Sequence, residues 1–156
     1  MGVQRHVKST SVILVAEDDD KDFYLLRTTL AKLRRRTLLC QVRDGRHALR
    51  YLEGVGIYRD RERFPFPDLL VLDLKMPVLD GIDLLAALRQ IPNLDHLPII
   101  ILSGANIPDA ETIPRALGAQ AYYVKSGNSA QRLRDVRQIC RKWLQQKSAA
   151  LGSERP

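Results

Sequence analysis

The chain has 156 residues, 45% of them hydrophobic and 28% charged, with a formal net charge of +7. This is an ordinary globular composition, long enough for one domain with a sizeable core. Met1 to Ser11 is polar, without the apolar core of a signal peptide. No apolar run approaches the length of a membrane span, and His6 stands where a myristoylation signal would have Ser or Thr, so a cytoplasmic protein with no membrane contact is expected.

Val12 to Ala16 reads as a strand that ends directly on Glu17-Asp18-Asp19-Asp20. Four adjacent acids repel one another. Capping of the next helix by Asp19 or Asp20, helped by the helix dipole, accounts for about two of them. A divalent cation accounts for the others. The first helix follows with Phe23, Leu26, Leu30 and Leu33 at helical spacing and ends in Arg34-Arg35-Arg36. Leu38 to Val42 is the second strand, Asp44-Gly45 a turn, and Ala48, Leu49 and Leu52 mark the second helix. Gly54 to Pro67 reads as an extended connection.

Leu69 to Leu72 is apolar throughout and bounded by turn signals, as a central parallel strand buried on both faces should be. It delivers Asp73 to the strand's carboxyl end, where open α/β sheets bind ligands. Taken alone, Asp73 is equally well a carboxylate capping the loop. Pro77 and Asp80-Gly81 make the turn, and Asp80 caps a third helix that runs to about Arg89 with Ile82, Leu85 and Leu88 inward. Ile99 to Leu102 is the fourth strand, ending on Ser103-Gly104-Ala105. Asp109 can cap a fourth helix, which Pro114 should make short, kinked or mobile. Ala121 to Val124 is the fifth strand and places Lys125 at its end. The last helix, about Ala130 to Gln146, carries Leu133, Val136, Cys140 and Trp143 on one stripe.

The expected organisation is a flexible segment over residues 1–11, a domain over 12–147 and a flexible tail over 148–156. Cys40 and Cys140 read as buried thiols rather than a disulfide or metal pair. His6, His47 and His96 read as surface residues and Trp143 as packing. The basic runs at Arg34–Arg36, Arg59–Arg63 and Arg132–Lys147 read as solvated surface, since no aromatic residues interleave them in a nucleic-acid pattern.

Five strands alternate with five helices, which calls for a parallel sheet covered on both faces. All strands but the second end in a polar group: Glu17 and Asp18, Asp73, Ser103, Lys125. If these ends meet, hard carboxylate oxygens suit Mg²⁺, while the lysine and hydroxyl beside it cradle a tetrahedral anion. Phosphoryl transfer needs mainly such positioning and positive charge, and Asp73 would be the nucleophile.

The segments VAEDD, VLDLKMPVLDG, IILSGA and AYYVK, in this order over about residues 12–146, resemble the receiver domain of two-component response regulators. The long loop before the third strand is most similar to stand-alone receivers that partner bacterial phytochrome histidine kinases. The resemblance implies a flavodoxin-like, doubly wound five-stranded parallel sheet in order 2-1-3-4-5. It implies that Asp73 accepts a phosphoryl group from a sensor histidine kinase, and that Glu17, Asp18, Asp73 and the backbone carbonyl of Lys75 hold Mg²⁺. It further implies that Ser103 and Lys125 contact the phosphoryl group and that Tyr122 is the switch aromatic. The fourth helix, fifth strand and fifth helix would form the output face, through which a homodimer is expected.

Three departures bear on this. Ser126 replaces the proline that commonly follows the lysine, and a non-proline cis bond there costs about 3 kcal/mol, so Lys125 is expected to be aimed differently. Lys75 and Ala105 supply none of the polar groups that often position an attacking water, which implies a long-lived phosphoaspartate. Pro114 weakens the fourth helix. The competing reading is a receiver-fold interaction module that does not switch. A hydrolase with an aspartyl nucleophile would place an acid where Lys75 stands, and no DNA-reading helix follows, so neither catalysis of that kind nor direct DNA binding is expected.

Overall fold

The computed structural model describes residues 10–32, 36–104, 112–125 and 127–150, without the side chains of 129, 140 and 145–150. Expectations for His6, Leu33, Arg34, Arg35, Ala105, Asp109, Ser126 and the side chain of Cys140 lie outside the described residues. Five strands alternate with five helices: β1 Ser11–Ala16, α1 Asp20–Leu30, β2 Thr37–Val42, α2 Gly45–Glu53, β3 Leu69–Leu72, α3 Gly81–Leu88, β4 Ile99–Ser103, α4 Thr112–Ala116, β5 Ala121–Val124 and α5 Ser129–Ala150. The strands form one parallel sheet in the order β2-β1-β3-β4-β5. No helix among the described residues is long and apolar enough to cross a membrane.

Helices cover both faces. One core layer joins Leu14, Leu70, Leu72 and Ile101 to α2, α3 and Tyr122. The other joins Ile13, Val15, Val71 and Ile100 to Leu26 and Leu30 of α1 and Val136 and Ile139 of α5. Alternate strand residues supply the two layers, so β3 is buried at every position, as a two-sided parallel strand must be. The chain reverses direction of winding between β1 and β3. Parallel register puts Ala16 beside Leu72, and the ladder runs one residue further: the Asp73 amide donates to the Ala16 carbonyl at 3.0 Å and the Glu17 amide to that of Val42 at 3.0 Å. Glu17 and Asp73 are thereby fixed at the switch point of the sheet, where a crevice opens at the strands' carboxyl ends.

Several local readings are corrected in detail. Leu84, not Ile82, is fully buried on α3. On α5 the inner stripe includes Ile139 and Leu144, with Leu133 and Trp143 only half-buried. Helix α5 continues through Ala150, past the Gln146 boundary expected from sequence. Cys40 is half-buried, not buried.

The connection over 54–67 is more ordered than an extended loop. It contains a 3-10 turn, Gly56–Arg59, that buries Tyr58 against Tyr51 and Phe64 at ring-centroid distances of 5.1 Å each. His47 belongs to this cluster: its Nδ1 lies 2.7 Å from the Tyr58 hydroxyl, so it is a half-buried partner and not a surface residue. Arg61 is likewise no solvated charge. Its guanidinium donates to the carbonyls of Tyr51 at 2.8 Å and Leu52 at 2.9 Å, closing the carboxyl end of α2 where cations are favoured.

Candidate functional site

The acidic run after β1 divides its labour among four residues. Asp19 caps α1, accepting from the amides of Lys21 and Asp22 at 2.8 and 3.0 Å. Asp20 pairs with Arg43 at 2.7 Å on the surface, where such a pair contributes little. Glu17 and Asp18 turn toward Asp73. The three carboxylates each offer an oxygen within 4.8 Å of the others, with Glu17 and Asp73 buried and Asp18 exposed.

Asp73 is held from several sides. Its Oδ1 accepts from the Ser103 hydroxyl at 3.0 Å and from the Lys75 amide at 3.1 Å. Its Oδ2 accepts from Lys125 Nζ at 2.9 Å. The Lys125 ammonium also donates to Glu17 Oε2 at 2.6 Å and to Asp22 Oδ2 at 2.7 Å, while Asp22 Oδ1 accepts from Arg132 Nη1 of α5 at 2.6 Å. Both glycines that follow helix-capping aspartates make this packing possible. A Cβ on Gly81 would lie 2.6 Å from the Asp73 carbonyl oxygen, and one on Gly45 would collide with the Leu79 carbonyl.

Burial pushes the Glu17 carboxyl up from its ordinary 4.5 to about 7, although the hydrogen bond from Lys125 works in the opposite direction. Burial alone would lower the Lys125 pKa. Hydrogen bonds to Asp22, Glu17 and Asp73 outweigh it and hold the ammonium above the usual lysine range. The lysine is thus a fixed cation among carboxylates in a buried setting. Hard oxygen donors converging from two adjacent strand ends, one of them exposed, fit a divalent ion such as Mg²⁺ that keeps part of its water shell.

Residues 13–137 match the response regulator receiver domain family. The chain belongs to that family. As a receiver it is 32% identical over 134 residues to the response regulator Rcp1 of Synechocystis, covering 86% of this chain and 89% of Rcp1. Among solved structures, the phosphorylated cyanobacterial phytochrome response regulator RcpA superposes with a TM-score of 0.82 at 32% identity, covering 87% of this chain and 95% of RcpA. The Mn²⁺-bound form of Rcp1 gives 0.79 at 32% identity, covering 86% of this chain and 94% of the other. RPA3017, a response regulator in red light signaling of R. palustris, gives 0.76 at 35%, covering 83% and 91% respectively. The receiver is therefore a signalling domain, similar to phytochrome response regulators in sequence and fold.

The receiver fold brings together Glu17, Asp18, Asp73, Ser103 and Lys125, all named from sequence. Tyr122 on β5 is 8% exposed and belongs to the core layer that holds α2 and α3. Sequence reasoning missed Asp22 and Arg132. Asp22 was hidden because an acid in a first helical turn already has an explanation in the dipole. Arg132 carried a signal in the other direction: it stands in the first turn of α5, where a cation is out of place unless an acid meets it.

Proposed function

We propose that this receiver accepts a phosphoryl group on Asp73 from a sensor histidine kinase and signals through a surface that changes on phosphorylation. The observation that carries the reading is Asp73 itself, 8% exposed at the sheet's switch point and hydrogen-bonded to both Ser103 and Lys125. An oxygen of Asp73 attacks phosphorus while the P–N bond to the kinase imidazole breaks, its electron pair staying on the nitrogen, which takes up a proton. The product is an acyl phosphate. Ser103 and Lys125 donate to phosphoryl oxygens, and the Lys125 charge offsets the added negative charge. Mg²⁺ held by Glu17, Asp18, Asp73 and the Lys75 carbonyl would supply further positive charge at those oxygens. The Mn²⁺-bound form of Rcp1 supports a divalent ion, and the phosphorylated RcpA supports the acceptor role.

The similarity to phytochrome response regulators favours a phytochrome-type kinase as the donor. We take α4, β5 and α5 as the output face and as the surface of a homodimer; the exposed Ile113 and Val124, 53% and 52%, support apolar contact there. Lys75 is exposed, and its ammonium can only donate, so it offers no acceptor for the proton of an attacking water, which supports a long-lived phosphoaspartate. The deciding experiment is intact mass spectrometry after incubation with Mg²⁺ and acetyl phosphate. One phosphoryl group on wild type and none on Asp73→Asn is expected. No adduct on either protein would overturn the reading and leave a receiver-fold module that does not switch.

A further inference from the structure

An ammonium has three protons to donate. At Lys125 they are directed to carboxylates on three elements: Glu17 after β1 at 2.6 Å, Asp73 after β3 at 2.9 Å, and Asp22 in α1 at 2.7 Å. Glu17 and Asp73 belong, with Asp18, to the trio whose oxygens lie close enough to share a metal ion; Asp22 does not. A divalent ion on that trio competes with Lys125 for two of its three acceptors. The Asp22 oxygen is the acceptor it leaves alone. Asp22 is itself fixed from behind, because its second oxygen accepts from Arg132 Nη1 at 2.6 Å, with the two side chains 22% and 23% exposed. Such a charge-assisted, two-sided arrangement sets the carboxylate's direction as well as its position.

We propose that Asp22 is the positioning residue for Lys125, keeping the ammonium over Asp73 when a metal engages Glu17 and Asp73, and that Arg132 of α5 fixes Asp22 in that role. The usefulness of the arrangement rests on the phosphoacceptor reading, since an aimed Lys125 matters where a phosphoryl group is to be met. The geometry and its test do not. Asp22 touches neither the acceptor nor the trio directly and acts through Lys125. It also joins the site to α5, so that any displacement of Lys125 is felt by a helix of the output face.

The test reads the reactivity of the Lys125 amine toward reductive methylation, residue by residue, by peptide mass spectrometry, with and without saturating Mg²⁺. In wild type, Mg²⁺ should leave the Lys125 rate unchanged within about two-fold. In Asp22→Asn, Mg²⁺ should raise it roughly ten-fold, the scale of one hydrogen bond between charged groups, while other lysines do not respond. Asp22→Glu should restore most of the protection, which a merely structural defect would not allow. Arg132→Ala leaves Asp22 in place but unfixed and should give an intermediate Mg²⁺ response, and it serves if Asp22→Asn does not fold. Equal Mg²⁺ responses of Lys125 in wild type, Asp22→Asn and Arg132→Ala would overturn the inference. Failure of wild type to take up a phosphoryl group would overturn only the phosphoacceptor reading, because the labelling pattern is read without phosphodonor.

Discussion

Glu17 and Lys125 carry most of the pH and charge behaviour of the site. Burial raises the Glu17 carboxyl to about 7, so the folded chain holds this proton more tightly than the unfolded chain does. Its contribution to stability is present below pH 4.5 and is lost as pH rises through 7. A divalent ion needs the ionised carboxylate, so proton and metal compete. Mg²⁺ affinity measured by calorimetry should fall about ten-fold between roughly pH 8 and pH 6, and a flat profile would count against Glu17 as a ligand. Lys125 is the counter-case. Its ammonium neutralises Glu17 and Asp73, whose side chains are 6% and 9% exposed. Removing it in Lys125→Ala leaves buried carboxylates without a cation and should cost about 3 kcal/mol in EDTA, seen as an earlier urea midpoint. Mg²⁺ should restore much of that loss on the proposed reading, in which it binds Glu17 and Asp73. The carboxylates, hydroxyl and amine at the strand ends were legible because each follows an apolar run by one residue, or by two at Asp18. Asp22 and Arg132 were not, since their pairing depends on α1 packing beside α5, which no local pattern encodes.

At the scale of elements, β3 and the turn after it were the clearest part of the sequence, and the turn holds a detail that composition does not show. Val78 has φ of 69°, and the Leu79 amide donates back to the Pro77 carbonyl at 2.8 Å, which closes a three-residue turn with a β-branched residue in the left-handed region. The side chain is 71% exposed, so packing returns little for the strain. Val78→Gly should therefore stabilise the protein by about 0.5–1 kcal/mol in urea unfolding, and a destabilised variant would show that the valine is held by something other than the turn. Strands read well because runs such as Ile99 to Leu102 admit one interpretation once length and flanking residues are counted. The loop over 54–67 read poorly. Its charges alternate as a solvated connection would, yet Tyr58 and Arg61 fold back onto α2, a tertiary preference that outweighs local composition. Pro114, expected to make the fourth helix short, kinked or mobile, is buried within the five described residues of α4, and the residues just before them lie outside the described part.

Across the whole molecule, the alternation of strands and helices was enough to anticipate a parallel sheet covered on both faces, while the order β2-β1-β3-β4-β5 was anticipated from the resemblance to receivers, since right-handed connections allow other orders. The order also decides which strand ends meet, so the resemblance that implied the order implied most of the site with it. A ligand that binds only the folded chain stabilises it by mass action, by about 2.7 kcal/mol at a hundred-fold excess over its dissociation constant. Saturating Mg²⁺ should accordingly raise the melting temperature by roughly 5–10 °C over EDTA, and an unchanged melting curve would argue that the carboxylate trio holds no ion. The fold-back of the 54–67 loop has a consequence of another kind. Arg59 and Arg63 are exposed on either side of Arg61, whose guanidinium is engaged with the end of α2. An arginine-specific protease thus meets two open bonds flanking a shielded one. Cuts at the open pair release a short peptide carrying the hook itself, and α2 loses the cation that closes its last turn.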